Sequence, residues 1–216
     1  MANRPKDKGT SAESMVATYL RENGWPWAER RALNGAVDKG DITGCPGLVW
    51  EVKYTSGNLR MAEWMQETVL EQANAGADHG ILVIKYRGVG ERNMDKLLAA
   101  MRFHEFRKLI VQSWPLDPVT GDTTSCSDEI LGLRYHGPAG FNGRVIAQLA
   151  KFSTELQGEL FADQSIPIMV RRPPGAADDI GAQYHITYLK HMVTLLRRAG
   201  YGNPLEVQYG VTATEA

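Results

Sequence analysis

The 216-residue sequence has few cysteines, no long apolar run and no excess of charge of one sign. Its two cysteines, Cys45 and Cys126, are too few for a disulfide framework or for a thiolate-based zinc site. No segment approaches the roughly 18 apolar residues of a membrane span, and no apolar run follows the charged first residues, as a secretory signal requires. These absences favour a cytoplasmic protein that has no membrane partner.

Net charge says little about a partner. The 24 Lys and Arg residues oppose 25 Asp and Glu residues, so the formal net charge is −1 and only local clustering can indicate nucleic-acid binding. The hydrophobic fraction of 43 % excludes wholesale disorder. At about 150 residues per domain, the length predicts one domain with a long extension, or two small domains.

The hydrophobic pattern of the first half predicts a small mixed α/β sheet with helices on both faces. Residues 1–9 are polar and basic and predict a flexible arm. Thr10 and Glu13 fit a capping box that begins the first helix. Residues 10–112 then continue with three strands, a helix and a buried strand, in the order αβββαβ.

Two helices in this half are predicted from their apolar positions. The first begins at Met61, places Val69 and Ala73 on its buried face, and ends at Gly76. Between the two helices, residues 81–86 form a strand of nearly continuous apolar character. The second amphipathic helix spans about 94–111.

Residues 113–216 form a C-terminal α/β region, with strands expected at 130–135 and 166–170 and a helix at 145–161. Residues 184–199 are expected to form either a strand followed by a helix or a single helix. Gly40–Cys45 resembles Gly121–Cys126, and each segment precedes a strand, a helix and an apolar strand. A degenerate tandem repeat explains this similarity, and in that case the counterparts of Glu51 and Lys53 lie near Gly132 and Arg134. Because the match is short and gapped, chance similarity is the preferred interpretation.

The residues with the clearest chemistry are Asp41, Glu51 and Lys53. Glu51 and Lys53 stand two apart on a predicted strand and so point to the same face. If the Asp41 segment pairs with that strand through the short intervening turn, Asp41 and Glu51 converge. Taken alone, the Glu51–Lys53 pair is most commonly explained as a charge pair on a solvated edge strand.

Two carboxylates on adjacent strand ends suit Mg²⁺ or Mn²⁺, because these ions prefer oxygen ligands. Such an ion lowers the pKa of a bound water and neutralises charge on a scissile phosphate. A lysine two residues from a ligand can orient that water or stabilise the developing charge.

The pattern Asp41…Glu51-Val52-Lys53 after an N-terminal helix resembles the PD-(D/E)XK nuclease superfamily. Within it, the chain is similar to the Holliday junction resolvase branch, especially resolvase-like proteins of actinobacterial phages. The segments that carry the resemblance are Gly9–Glu13, Arg30-Arg31, Gly40–Ile42, Glu51–Lys53 and Asn74–Asp78, together with the closing Leu195–Tyr201. One departure is Gly40, which stands where the superfamily has proline.

The resemblance implies a restriction-endonuclease-like core over 10–112 and a metal-dependent DNA endonuclease. It implies that Asp41 and Glu51 hold the metal, that Lys53 is catalytic, and that Glu13 approaches the site from the first helix. It also raises the possibility that residues between the core and the closing segment are an insertion. Such an enzyme acts in the bacterial host cytoplasm, on branched DNA, as a homodimer with two symmetric sites.

Several other residues have two interpretations each. Glu13 fits a helix cap, a site contact or both, and Asp38 fits a turn residue better than a ligand. Glu67 and Gln72 fit a solvated helix face better than a place near the site, where related nucleases often have a polar helix residue. Phosphate contact and ordinary surface exposure are both open for the basic residues near the motif. These residues are Arg30, Arg31, Lys39, Lys85 and Arg87.

Two other functions remain open from the sequence. One is a repair or restriction-type nuclease that acts on linear duplex DNA. The other is a non-catalytic DNA-binding protein on a nuclease scaffold, which suits the C-terminal half better than the half that contains Asp41, Glu51 and Lys53.

Overall fold

The computed structural model describes residues 4–32, 37–113, 131–135, 166–171 and 183–203. The helices and strands of these ranges are α1 (Arg4–Glu22), β1 (Glu29–Arg30), β2 (Ile42–Thr43), β3 (Leu48–Thr55), α2 (Met61–Ala75), β4 (His79–Tyr86), a 3₁₀ helix (Glu91–Lys96), β5 (Leu98–Arg102), α3 (Phe103–Ser113), β6 (Leu131–Tyr135), β7 (Ile166–Arg171), β8 (Tyr184–Tyr188) and α4 (Leu189–Arg198). The predicted mixed α/β fold and the order αβββαβ over the first six elements are confirmed.

Six strands form one mixed sheet in the order β3-β4-β5-β8-β7-β6, and β1 and β2 form a separate two-stranded ribbon. β3 pairs with β4 in parallel, as expected for strands joined by a crossover helix, and β5 lies antiparallel to β4. The predicted strands at 130–135 and 166–170 are present as β6 and β7 and belong to this same sheet.

Helices cover both faces of the sheet, and each face has its own apolar core. On one face α1, α3 and α4 pack over inward residues of β3, β4 and β5, around Trp50, Ile81 and Ala99. On the other face α2 packs over residues such as Leu82 and Ile186. Because both faces are covered, the interior strand β4 is buried from His79 to Ile84.

Helix α1 is longer than predicted. It begins at Arg4, so residues 4–9 are helical and the predicted arm is wrong over these residues. Thr10 therefore lies inside the helix, where its carbonyl accepts a bond from the Ser14 hydroxyl, and the capping-box interpretation of Glu13 is also wrong. The first turns are held by tertiary contact, since the Lys8 ammonium lies 5.5 Å from the centre of the Tyr54 ring.

Helix α2 ends as predicted at Gly76, which has the left-handed conformation of a C-cap. Its buried face, however, passes through Thr68 and Glu71, whereas the predicted Val69 and Ala73 are exposed. The reason is geometric: successive steps of four residues drift by about 40° around a helix, so a 4-4-4 pattern leaves the sheet after two turns.

The predicted helix over about 94–111 is wrong in its first half. Leu97 to Met101 is a fully buried run, and it forms the central strand β5 between the 3₁₀ helix and α3. A short apolar run of this kind is compatible with either a strand or a buried helix, so periodicity alone does not separate them.

The sheet has internal two-fold symmetry. The strand series β3-β4-β5 and β6-β7-β8 follow the same rule, a parallel pair followed by an antiparallel strand, and they meet at the β5–β8 pair. The first residues also correspond, since Leu48 pairs with His79 and Leu131 pairs with Ile166. This correspondence favours the tandem repeat over chance similarity. The segment Gly121–Cys126 itself lies outside the described residues.

The repeat extends to the helices that follow the central strands. α3 follows β5 and α4 follows β8 without an intervening loop, and both lie on the same face of the sheet. They contact each other, and the buried Ser113 hydroxyl donates to the carbonyl of Leu195 at 2.9 Å.

Candidate active site

Asp41 is held beside strand β3 by its own backbone and side chain. Its N–H donates to the carbonyl of Trp50 at 2.9 Å, and its Oδ2 accepts from the N–H of Val52 at 2.8 Å. These bonds place the carboxylate next to Glu51, whose backbone lies between Trp50 and Val52. The predicted convergence of Asp41 and Glu51 is therefore confirmed.

Gly40 shapes the backbone that delivers Asp41. Its φ is +86°, and a Cβ atom there would lie 2.8 Å from Cγ1 of Val49 and 3.1 Å from the carbonyl oxygen of Trp50. Proline has φ near −65° and cannot adopt this conformation. The departure from the superfamily pattern thus has a local structural reason.

Glu51 and Lys53 lie on the same face of β3, as predicted, and form an ion pair. Glu51 is 5 % exposed, whereas the lysine side chain is partly exposed at the surface of the site. Glu67 of α2 provides a second carboxylate 2.8 Å from Nζ of Lys53. The Glu67 side chain is 42 % exposed, which agrees with the predicted solvated face of α2, and it contacts Lys53 from there.

Burial dominates the electrostatics of the two carboxyls. Burial, together with the neighbouring charge of Glu51, raises the pKa of Asp41 from 3.8 to about 8. Burial likewise raises the pKa of Glu51 to about 7, opposed by the charge of Lys53. Two desolvated carboxylates in contact favour keeping a proton between them, and a divalent cation is the natural replacement for that proton.

Lys53 remains a cation. Burial alone would lower the pKa of its ammonium, but the charges and hydrogen bonds of Glu51 and Glu67 raise it above its usual range. A lysine that stays protonated is suited to stabilising negative charge rather than to accepting a proton.

Glu71 is a site residue that sequence reasoning missed. It lies on α2, is 4 % exposed, and one of its carboxyl oxygens is buried without a hydrogen-bond partner. Burial raises the pKa of Glu71 to about 7, and a hydrogen bond with Glu51 acts in the opposite direction. The buried face of α2 turns away from the predicted positions Val69 and Ala73 after two helical turns, so the sequence pattern did not indicate that Glu71 is buried.

Glu13 lies on α1, and its charge makes a small contribution to the raised pKa of Asp41. Its Oε2 lies 2.6 Å from Nε of Arg30, so this arginine pairs with a carboxylate of the site. Arg31 instead donates to the carbonyl of Gly40 at 3.0 Å and supports the loop that carries Asp41.

The other predicted phosphate-binding residues are near the site in the chain but differ in their surroundings, and Lys85 stands in register with Tyr54, on the face of the sheet opposite to Lys53. Lys39 is exposed, and it shares with Arg31 a groove of about 310 Å³. Lys85 lies 5.3 Å from the centre of the Tyr54 ring, and Arg87 is exposed just beyond the end of β4. Gln72 does not reach the site: its amide donates to the carbonyl of Asp78 at 2.9 Å.

Among the described residues, no group of three or more His, Cys, Asp and Glu side chains is placed closely enough to hold a metal ion by itself. Mg²⁺ binds through one or two carboxylates and retains several waters, so a full protein cage is not required. The adjoining carboxyls of Asp41 and Glu51, with the unpartnered Glu71 oxygen behind them, fit that donor chemistry.

Comparison of the chain with family models, with curated proteins and with solved structures finds no match in any of the three. In the part of the chain that the structure describes, no helix has the length and apolar character needed to cross a membrane. The site itself, at the junction of β2, β3 and α2, is therefore what bears on function.

Proposed function

We propose that the protein is a metal-dependent DNA endonuclease of the PD-(D/E)XK type that acts on branched DNA in the bacterial cytoplasm, as the resemblance to Holliday junction resolvases implies. The observation that carries the proposal is the pair of adjoining carboxyls, the half-buried Asp41 and the buried Glu51, with the Lys53 ammonium in contact with Glu51. Glu51 and Lys53 come from β3, and Asp41 comes from the loop just before β2.

Asp41 and Glu51 would hold Mg²⁺ or Mn²⁺, which when bound activates a water molecule and neutralises charge on the scissile phosphate. Asp41 is already oriented by the N–H of Val52, so little rearrangement is needed on metal binding. Loss of the shared proton accompanies binding, because a ligating carboxylate must be ionised.

Lys53 stabilises the negative charge that develops on the phosphate, and Glu67 and Glu51 keep its ammonium protonated and oriented. Glu13 contributes by pairing with Arg30, which positions this cation at the entrance of the site. The exposed Lys39 and Arg87 and the half-buried Lys85 supply further contacts to the DNA backbone.

The test is cleavage of labelled four-way junction, flap and linear duplex DNA by the purified protein with Mg²⁺, with Mn²⁺ or with chelator. We expect cleavage that needs the metal and that is lost in Asp41→Asn. Glu63→Gln is the matched control, because Glu63 is an exposed carboxylate of α2 that pairs with Arg60.

Each outcome separates the candidates. Preference for the junction supports a resolvase, and preference for linear duplex supports a repair or restriction-type nuclease. Cleavage that survives in both Asp41→Asn and Lys53→Gln excludes the proposed site. Metal-independent DNA binding without cleavage indicates a non-catalytic protein on a nuclease scaffold.

A further inference from the structure

One row of paired residues crosses the whole sheet and is centred on its two-fold axis. From one edge to the other the row contains Glu51, Leu82, Ala100, Ile186, Met169 and Arg134. Ala100 and Ile186 are the central pair. The symmetry therefore relates Glu51 to Arg134 of β6, and it relates Leu82 to Met169. Glu51 belongs to the acidic centre, the cluster of the carboxyls of Asp41, Glu51 and Glu71.

This register corrects the correspondence expected from sequence alone. Gly132 stands at the position of Val49, and Arg134 stands at the position of Glu51 rather than that of Lys53. Strand β6 has the sequence Leu-Gly-Leu-Arg-Tyr, so it contains no carboxylate at all. Strand β7 ends on Arg171, which occupies the position of Ile84.

The second series has thus kept the sheet and replaced the carboxylate of Glu51 by the guanidinium of Arg134. A carboxylate at the position of Glu51 suits a metal ion, whereas a guanidinium at the same position suits a phosphate group. The two series are also fused through the buried β5–β8 ladder, which has five residue pairs. This ladder joins them as an isologous interface joins two subunits of a dimer.

We infer that residues 131–203 replace the second subunit of a homodimeric nuclease. In this arrangement the chain works as a monomer, its first series cuts one DNA strand, and its second series binds the DNA backbone through Arg134 without cutting. The inference rests on the proposed nuclease function for its cleavage part, and on the sheet alone for its monomeric part. It takes the place of the homodimer predicted from the sequence.

The dimensions agree with binding of one DNA molecule by both edges. Glu51 and Arg134 are separated by five inter-strand steps of about 4.8 Å each, hence by about 24 Å along the sheet. One helical turn of duplex DNA is about 34 Å long, so the distance between the two register positions is shorter than a single turn.

The monomeric part is tested by the mass of the full chain, free and bound to a four-way junction, by light scattering coupled to size exclusion. We expect 23.9 kDa for the free protein and one chain per junction. A stable dimer of twice this mass, or two chains per junction, overturns the inference. This measurement does not depend on catalysis, so it remains decisive even if the nuclease proposal fails.

The cleavage part is tested on a supercoiled plasmid that extrudes a cruciform, with the protein at lower concentration than the plasmid. We expect nicked circles, because one centre makes one incision and the cruciform is lost when supercoiling is released. Linear plasmid formed without a nicked precursor overturns the inference, since it requires two coordinated centres. An uncut plasmid contradicts the nuclease proposal and leaves the mass measurement to decide the architecture.

The role of Arg134 is tested in an Asp41→Asn background, in which DNA stays intact. We expect Arg134→Ala to weaken binding about 3- to 30-fold and to lower the salt slope of log Kd by roughly one. Lys190→Ala is the control, because Lys190 is an exposed cation of α4 outside the proposed interface. Equal affinity and equal salt slope for Arg134→Ala and its control overturn this role. Circular dichroism of each variant shows that a loss of binding is not a loss of fold.

Discussion

At the scale of single residues, Lys53 bridges the carboxylates of Glu51 and Glu67. Its ammonium contacts Glu51 and Glu67, and these partners keep it charged. We expect Lys53→Gln to lower the single-turnover cleavage rate about 10²- to 10³-fold, since it removes one charge-stabilising donor from the transition state. Quenched-flow cleavage of labelled DNA measures the rate.

Metal affinity separates this role from a structural one. Calorimetric titration should show that Lys53→Gln still binds Mg²⁺, because Asp41 and Glu51 remain. A rate equal to that of the Glu63→Gln control would contradict a catalytic role for Lys53. Loss of metal binding in Lys53→Gln would instead show that this lysine supports the ligands.

Gly40 has a backbone role that a substitution can measure. Any side chain there meets Val49 and Trp50, and the positive φ is strained for an L-residue. We expect Gly40→Ala to lower the free energy of unfolding by about 1–3 kcal/mol, as measured by urea denaturation. Gly57→Ala is the control: a Cβ there has no neighbour within 4 Å, so its effect should stay within about 0.5 kcal/mol.

The site residues differ in how visible they are in the sequence. Asp41, Glu51 and Lys53 were predicted because their spacing on strands determines which side chains share a face. Glu67 and Glu71 were not, because their position depends on how α2 is rotated against the sheet. That rotation is decided by Trp64, Met65 and Thr68 packing against the sheet, which is a tertiary effect.

At the scale of elements, the chain order of helices and strands was predictable up to β4, where turn residues and apolar runs separate them clearly. β5 was misassigned because Leu97–Met101 is apolar throughout and carries no alternation. The sequence also shows nothing of the neighbour of β5. That neighbour is β8, about 85 residues later in the chain, and the pairing depends on contacts that are distant in sequence.

The β5–β8 pairing predicts that the C-terminal strand is part of the same cooperative unit as the site. Ile186 is fully buried between strands of both series. We expect Ile186→Ala to lower the free energy of unfolding by about 2–5 kcal/mol in a single transition. Thermal unfolding followed by circular dichroism and by tryptophan fluorescence checks this.

The control for Ile186→Ala is Val111→Ala, since Val111 is 62 % exposed on α3 and its truncation should cost less than about 0.5 kcal/mol. Two separate transitions in the wild-type protein, of which only one shifts in Ile186→Ala, would show that the two series fold independently.

At the scale of the whole molecule, the near-zero net charge conceals a separation of chemistry between the two edges of one sheet. Acidic residues gather at the β3 edge around Glu51, and a basic residue, Arg134, stands at the equivalent position on β6. The composition alone could not show this, because opposite charges cancel in a sum. The length beyond the first strand series is likewise explained in part, since β6, β7 and β8 double the sheet.

The acidic centre also makes the stability of the metal-free protein depend on pH. Asp41 has its pKa raised to about 8 when folded and near 3.8 when unfolded, so unfolding releases a proton at neutral pH. The free energy of unfolding therefore falls as pH rises through this window, and Glu51 acts in the same direction. Between pH 6.5 and 8 the buried His185 and His191 stay neutral, because burial lowers both pKa values, so the carboxyls dominate the slope.

Calorimetric scans of the chelated protein should thus show a melting temperature that decreases from pH 6.5 to pH 8, with a smaller slope in Asp41→Asn. Mg²⁺ replaces the proton, so it should stabilise more at pH 8 than at pH 6.5. At 100 times its Kd, a ligand contributes about 2.7 kcal/mol, or roughly 5–11 °C for a chain of this length. A melting temperature that is independent of both pH and Mg²⁺ in this range would contradict metal binding by Asp41 and Glu51, because desolvated carboxylates in contact must gain stability from a cation.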